Sequence, residues 1–241
     1  MLDTYLTQLD QLLQYPTAPV DPLYLPSDET FWINRARQQL AGDSQSIRVL
    51  GTIDTVAGTN LYPFSSIVVS GTSGVASALH VRSIRYAVGN GFSRLRVRNY
   101  EWFESFELNS AVLPSGPPAV WSQYAQGETG SFFVSPIPDD VYVMTCDCVC
   151  LPINLIDDTT PEAIPSLWQD AVCFYAAFLA CLSAQSAQRQ SDANRMFERY
   201  QEFVDRARRF ATPDVNKNLY PQNQDPTLIA KLGLTPKQGA G

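Results

Sequence analysis

Leu2, Leu6, Leu9 and Leu13 recur at steps of three and four, with Tyr5 and Leu12 beside them. That spacing predicts an amphipathic helix over residues 2–14. Pro16, Pro19, Pro22 and Pro26 deny the next stretch both a helix and a sheet ladder, so residues 15–26 are predicted to be an extended connector. Ser27 then offers an N-cap, Asp28 and Glu29 suit the positive end of a helix, and Gly42 follows its last turn. A helix over 28–41 follows, with Trp32, Ala36 and Leu40 turned inward.

Between residues 47 and 154 the period changes to short β-rich runs separated by Gly, Asn, Ser and Pro. Val56-Ala57-Gly58-Thr59-Asn60 reads as a hairpin turn, and Gly89-Asn90-Gly91 joins 81–88 to 92–97 in a second hairpin. In that second hairpin Arg82, Arg94, Arg96 and Arg98 alternate with Val81, Leu95 and Val97. One sheet face is then apolar and the other carries guanidinium groups, either as a solvated face or as a contact with carboxylates on a neighbouring subunit.

After Pro161 and Pro165 the helical period returns. Ile164, Leu167, Trp168, Ala171, Val172, Tyr175, Phe178, Leu179 and Leu182 predict a helix of about two dozen residues, roughly 36 Å long, that must be covered on most sides. A second helix is predicted from Ser191 and Asp192, with Ala193, Phe197, Tyr200, Val204, Ala207 and Phe210 on one side and Arg206, Arg208 and Arg209 at its negative end. The two are expected to pair as a hairpin. Residues 212–241 are rich in Pro, Asn, Gln and Gly and cannot build a core alone. They nevertheless carry spaced apolar anchors, Leu219, Tyr220, Leu228, Ile229, Leu232 and Leu234. An arm that orders on a partner fits this pattern, and so does a disordered terminus.

Composition narrows the function. The chain is 45% hydrophobic and only 17% charged, which suits a folded protein with a neutral, polar surface. Its net charge of -7 argues against gripping duplex DNA, which needs a surplus of cations on one face. Fourteen of the 17 cations are Arg, and the three Lys (Lys217, Lys231, Lys237) all follow residue 212. Arg favours ordered, directional contacts. Five cysteines without an N-terminal signal pattern fit free thiols in a reducing cytosol. The longest apolar run, 171–184, is shorter than the ~18 residues of a membrane span and reads as a buried helix.

Candidate chemistry is sparse. His80 is the single histidine, and no nucleophile elbow surrounds it. Cys146, Cys148 and Cys150 alternate, so a strand would carry all three on one face at roughly 6.7 Å intervals, which suits core thiols better than a zinc site. Asp139-Asp140 and Asp157-Asp158 sit beside prolines, as turn residues do. Phosphate-loop, Rossmann, zinc-protease and EF-hand patterns are absent. Tyr100, Trp102, Phe103, Phe106, Trp121, Tyr124, Phe132 and Phe133 leave a glycan-binding tail or baseplate module as the alternative. No catalytic residue, metal or cofactor is expected.

Three stretches carry a family likeness: 31–43 (FWINRARQQLAGD), 135–142 (SPIPDDVY), and 150–155 (CLPINL) continued by 164–168 (IPSLW). Together with the order helix, β-rich segment, helical hairpin, extended arm, they resemble the head-to-tail adaptor proteins of short-tailed and related phages, the tail tubular A-like portal adaptors. The likeness covers about residues 28–211. It implies an α+β fold: a helical ring domain (28–42 plus 162–211), a β-rich insertion (47–154), an N-terminal helix and Pro-rich arm (1–26) and a C-terminal arm (212–241). It further implies a twelvefold ring of identical subunits beneath a portal protein, joined to a tail or nozzle protein, through which DNA passes unbound during ejection. Such a protein is a virion component at the head–tail junction, assembled in the host cytoplasm. The Pro-rich N-terminal extension departs from the family pattern and leaves open which terminus meets the portal.

Overall fold

The first helix, α1 (Leu2–Leu13), buries Leu2, Tyr5, Leu9 and Leu13, the stripe its spacing predicts, and ends where Gln14 turns left-handed at φ 58°. The computed structural model of the protein describes residues 1–14, 24–69, 73–88, 91–105, 114–184 and 187–211. Most of the proline connector, the Gly89-Asn90 turn, Phe106 and the whole C-terminal arm with its anchors Leu219, Tyr220, Leu228, Ile229, Leu232 and Leu234 lie outside the described residues.

Helix α2 (Pro26–Ser44) is longer than the predicted 28–41 at both ends. Pro26 takes the first helical position, where its missing N–H has no intrahelical partner to lose. The Asp28 carboxylate reaches back to the Leu25 N–H at 3.4 Å, so Leu25 and not Ser27 begins the helix. Gly42 does not end it. Only Gln45 turns left-handed, at φ 55°, with its N–H on the Ala41 carbonyl at 3.0 Å. The inward face is Ile33, Ala36, Leu40 and Ala41, and Trp32 packs edge-on against Tyr24 at 4.9 Å.

Helix α4 (Gln169–Ser183) has 15 residues, about 22 Å. It falls short of the predicted two dozen because Pro165 leads into a 3-10 turn, Ser166–Trp168, that stands outside the helix and leaves Leu167 exposed. Three helices surround it: α1, α2 and α5 (Ala187–Ala211). Its close contacts are made by small side chains, Ala171, Ala176, Ala177, Ala180, Cys173 and Cys181, all buried. The window Ser166–Ser183 is apolar enough to cross a bilayer by composition. Its packing is that of a core helix. The α4–α5 hairpin forms as predicted, although α5 begins a turn before Ser191.

The nine strands among the described residues lie between α2 and α4 in the chain, with a short helix, α3 (Tyr100–Phe103), among them. Strands β1 (Arg48–Asp54), β3 (Val68–Val69), β4 (Val75–Val88), β5 (Gly91–Arg94) and β9 (Val143–Pro152) form a sheet in the order β3-β1-β9-β4-β5. Strands β2 (Leu61–Pro63), β6 (Arg96–Val97), β7 (Val120–Tyr124) and β8 (Ser131–Ser135) form another, in the order β2-β8-β7-β6. Both predicted hairpins are therefore modified. The 56–60 turn exists, closed by Thr59 N–H on the Val56 carbonyl at 3.0 Å, yet its flanking strands go to different sheets. The Tyr62 hydroxyl takes the Val56 N–H and donates to the Thr59 carbonyl, which turns the chain away from β1.

In the second hairpin β4 pairs with β5 over 85–88 and 91–94 only, and the chain then crosses to the other sheet at Leu95. The inner face of the five-stranded sheet, with Val49, Ile53, Ile84, Tyr86, Met144, Cys146 and Cys148, joins the helices in one continuous apolar core. Each large aliphatic side chain fully buried there contributes about 1.5–3 kcal/mol. In the smaller sheet Phe132 is ringed by Tyr62, Phe64 and Trp121 at 5.6, 6.5 and 6.4 Å.

Candidate functional site

Cations and open apolar side chains gather on the outer face of the five-stranded sheet. Alternation along β1 leaves Arg48, Leu50, Thr52 and Asp54 exposed, and register places them beside Val143, Thr145 and Asp147 of β9. Arg85 of β4 lies opposite Arg94 of β5, and the Arg85 guanidinium covers the Phe92 ring at 4.8 Å. Arg48 pairs with Asp147. Arg48 and Arg82 both donate to the main-chain carbonyl of Ala211, at 3.2 and 3.4 Å. Two guanidinium groups thus hold the negative end of α5 against the sheet, which is where a helix dipole favours cations.

The four arginines singled out from the sequence do not share this face. Arg82 and Arg94 belong to it, whereas Arg96 and Arg98 follow the crossing at Leu95 and line the smaller sheet, their N–H groups on the Ala119 and Trp121 carbonyls, both at 2.9 Å. The Arg98 guanidinium stacks on Trp102 at 5.2 Å. The alternation runs through Leu95, where the chain changes sheets, and therefore does not define a single face. Sequence reasoning also missed Arg48 and Arg85, which lie on strands separated in sequence and meet only through β9.

A second constellation ties two of the three stretches of family likeness together, 31–43 and the passage that runs from 150–155 to 164–168. Arg37 is fully buried, and its guanidinium meets Glu162 from Nε at 3.0 Å and from Nη2 at 2.7 Å. Its Nη1 donates to the Ile153 carbonyl at 2.6 Å and to Asn34 Oδ1 at 3.2 Å. Asn34 in turn accepts the Leu155 N–H at 2.7 Å and donates to the Leu155 carbonyl at 2.9 Å, as a neighbouring strand would. Glu162 also accepts the Ile164 N–H at 2.8 Å. Where this passage crosses the start of β4, Gly74 adopts φ 84°, and a Cβ there would stand 2.7 Å from the Pro161 carbonyl oxygen, so only glycine fits. The i, i+3 spacing of Asn34 and Arg37 on one helix face was visible in the sequence. Their partners more than 100 residues away were not.

None of the candidate reactive groups is poised for chemistry. Cys146, Cys148 and Cys150 are buried on one face of β9, as their alternation predicts. Burial pushes the Cys146 thiol up to about 12 and the Cys150 thiol up to about 11, so both are protonated and inert at neutral pH. His80 is held below its ordinary value by burial and by the Arg82 charge. Asp157 accepts the Thr159 and Thr160 N–H groups at 3.0 and 2.9 Å, and Asp140 accepts the Val141 N–H at 2.7 Å. These carboxylates close turns. Of the aromatics that suggested glycan binding, Phe103, Trp121 and Phe132 are buried. Tyr100 packs against Tyr124 and Phe133 at 4.8 and 5.6 Å, in a cluster of which Tyr124 stays exposed.

Comparison with known proteins matches residues 6–217 to the family profile described as SU10 adaptor protein, a span that runs from within α1 through α2 and both sheets to the α4–α5 hairpin. No curated protein matches the chain.

Proposed function

The chain belongs to the SU10 adaptor protein family, and from that premise we propose that it is a structural head-to-tail adaptor of a tailed phage, a virion component with no catalytic role. In this reading, identical copies close into a ring, twelvefold as in the resembling adaptors, beneath the portal protein, with a tail or nozzle protein mounted below. The family match over residues 6–217 is the observation that carries it.

The helices over 28–42 and 162–211 serve as the ring domain, and the β-rich part, 47–154, makes lateral or tail-side contacts. Two features support this division. The chain offers two unlike surfaces, an arginine-bearing sheet face and a mixed-charge helical face, as a head-to-tail ring contact requires. Inter-subunit pairing through Arg82 and Arg94 on that sheet face, and through Arg96 and Arg98 on the smaller sheet, fits the net charge of -7 carried by each neighbour. The same acidity suits a channel through which DNA slides without being held.

Residues 212–241 act as an arm, and Leu219, Tyr220, Leu228, Ile229, Leu232 and Leu234 are its anchors on the portal or an adjacent subunit. Ordering a backbone costs about 1–2 kcal/mol per residue, so the anchors must be buried on something for the arm to dock. The test is co-assembly of the purified chain with a portal protein, counted by native mass spectrometry and particle images. A ring of copies on each portal is expected; one copy, or none, overturns the proposal. A chain ending at Ala211 keeps both hairpin helices whole and should fold, yet attach to filled heads far more weakly than the full chain. Attachment equal to that of the full chain would remove the arm from the mechanism.

A further inference from the structure

Among the described residues, nothing covers Leu50, Val68, Phe92 and Val143 on the outer face of the five-stranded sheet. Leu50, Val68, Phe92 and Val143 are 54, 63, 67 and 56% exposed on it, although each stands on a paired strand. Apolar groups gathered on one face in this way mark a surface that something occupies. The described chain ends at this face. Arg48 and Arg82 hold the Ala211 carbonyl against it, and 30 residues follow, from Thr212 to Gly241.

Resting on the reading of 212–241 as an arm, we propose that its first part docks in cis across this sheet face, with Asp214 against Arg85 and Arg94 and with Leu219 and Tyr220 over Leu50, Val143 and Phe92. Length and charge both select this occupant. Pro213 bars the helix from continuing. Asp214 stands three residues past the clamped carbonyl, within about 10 Å of it, and Arg85 and Arg94, which line one cleft with Arg48 and Asp147, have no ion pair among the described residues, where Asp147 is paired with Arg48. Residues 212–219 span at most about 26–29 Å, enough to cross a five-stranded sheet some 19 Å wide. Arg94, Leu219 and Tyr220 are thereby taken up inside the subunit and leave the set offered to a neighbour, while Leu228, Ile229, Leu232 and Leu234 lie beyond the sheet's edge at that reach and remain for the partner. The sheet face thereby sets the direction in which the arm leaves the subunit.

The experiment uses the purified full chain with a benzophenone amino acid in place of Phe92, mixed from unlabelled and nitrogen-15 preparations, irradiated and mapped by mass spectrometry. Crosslinks into residues 212–225 of the same isotopic chain are expected. Crosslinks that join chains of different label, or that fall outside 212–225, overturn the proposal in favour of a neighbour's arm or a neighbour's surface. A second readout is limited trypsin cleavage, because Lys217 is the one tryptic site inside the docked stretch while Lys231 and Lys237 lie outside it. Leu50→Ser with Phe92→Ser, both at exposed positions, should speed cleavage at Lys217 at least threefold and leave Lys231 unchanged. Equal rates at Lys217 refute the docking. Portal attachment reads the arm's function separately: in-chain crosslinks with unimpaired attachment of the truncated protein would sink the arm's role and keep the docking, and the converse result would do the opposite.

Discussion

Replacing Arg37 by Met tests how α2 is fastened to the passage between β9 and α4. Arg37 and Glu162 have side chains only 1 and 6% exposed, and the guanidinium also supplies the Ile153 carbonyl with a donor at 2.6 Å. Arg37→Met fills the space of the stem but leaves the Glu162 carboxylate inside the protein with the Ile164 N–H as its remaining donor among the bonds described above. Breaking a buried pair on one side costs about 3–5 kcal/mol, most of it the penalty of the abandoned charge. With a urea dependence near 2.5 kcal/mol per molar, a loss of about 4 kcal/mol lowers the unfolding midpoint by roughly 1.6 M. The double variant Arg37→Met with Glu162→Gln removes the stranded charge and keeps an acceptor for Ile164, so most of that loss should return. Urea titrations of both variants decide the matter. A loss under about 1 kcal/mol, or a double variant as weak as the single, would show that the pair does not fasten that passage to α2.

Glu29, buried between α1 and α2, has its carboxyl pushed up to about 7 by burial and by the Asp10 and Asp28 charges. Its folded value exceeds its unfolded one, so stability falls as pH rises from about 4.5 to about 7 and stays low above. Glu29→Gln should abolish that slope and stabilise the protein at pH 8 by on the order of 1 kcal/mol after solvent screening, read by thermal melts across pH 5–8. The five buried thiols should be silent to an aromatic disulfide reagent in the native protein and titrate fully in denaturant. Cys148→Ala and His80→Gln should change stability at most, leaving portal attachment intact; loss of attachment at full stability would give either group a role it lacks here. Duplex binding by the isolated chain should be weak at physiological salt, and tight, salt-steep binding in a filter or anisotropy assay would contradict an acidic channel.

Features that depend on residues within a turn or two of one another were legible in the sequence. The steps of Leu2, Leu9 and Leu13 define the buried side of α1, and Ala193, Tyr200, Val204 and Ala207 define that of α5. The alternation of Cys146, Cys148 and Cys150 placed all three in the core, because a strand's period of two does not depend on its neighbours. Helix ends were less secure, since Pro26 and Gln45 outweighed the Ser27 and Gly42 signals once neighbouring helices extended the packed region. Strand partners were a different matter. Nothing local tells β9, the last strand in the chain, to sit between β1 and β4, or tells Leu95 to leave one sheet for another. Arg37 is the clearest case. A guanidinium belongs in water unless its partners are fixed in place, and those partners, Ile153 and Glu162, arrive from 116 and 125 residues away. Periodicity, capping and turn chemistry act over a few residues and can be read along a line, whereas sheet order, the shared arginine face and the buried ion pair are long-range contacts that acquire their energy only when the chain has closed upon itself.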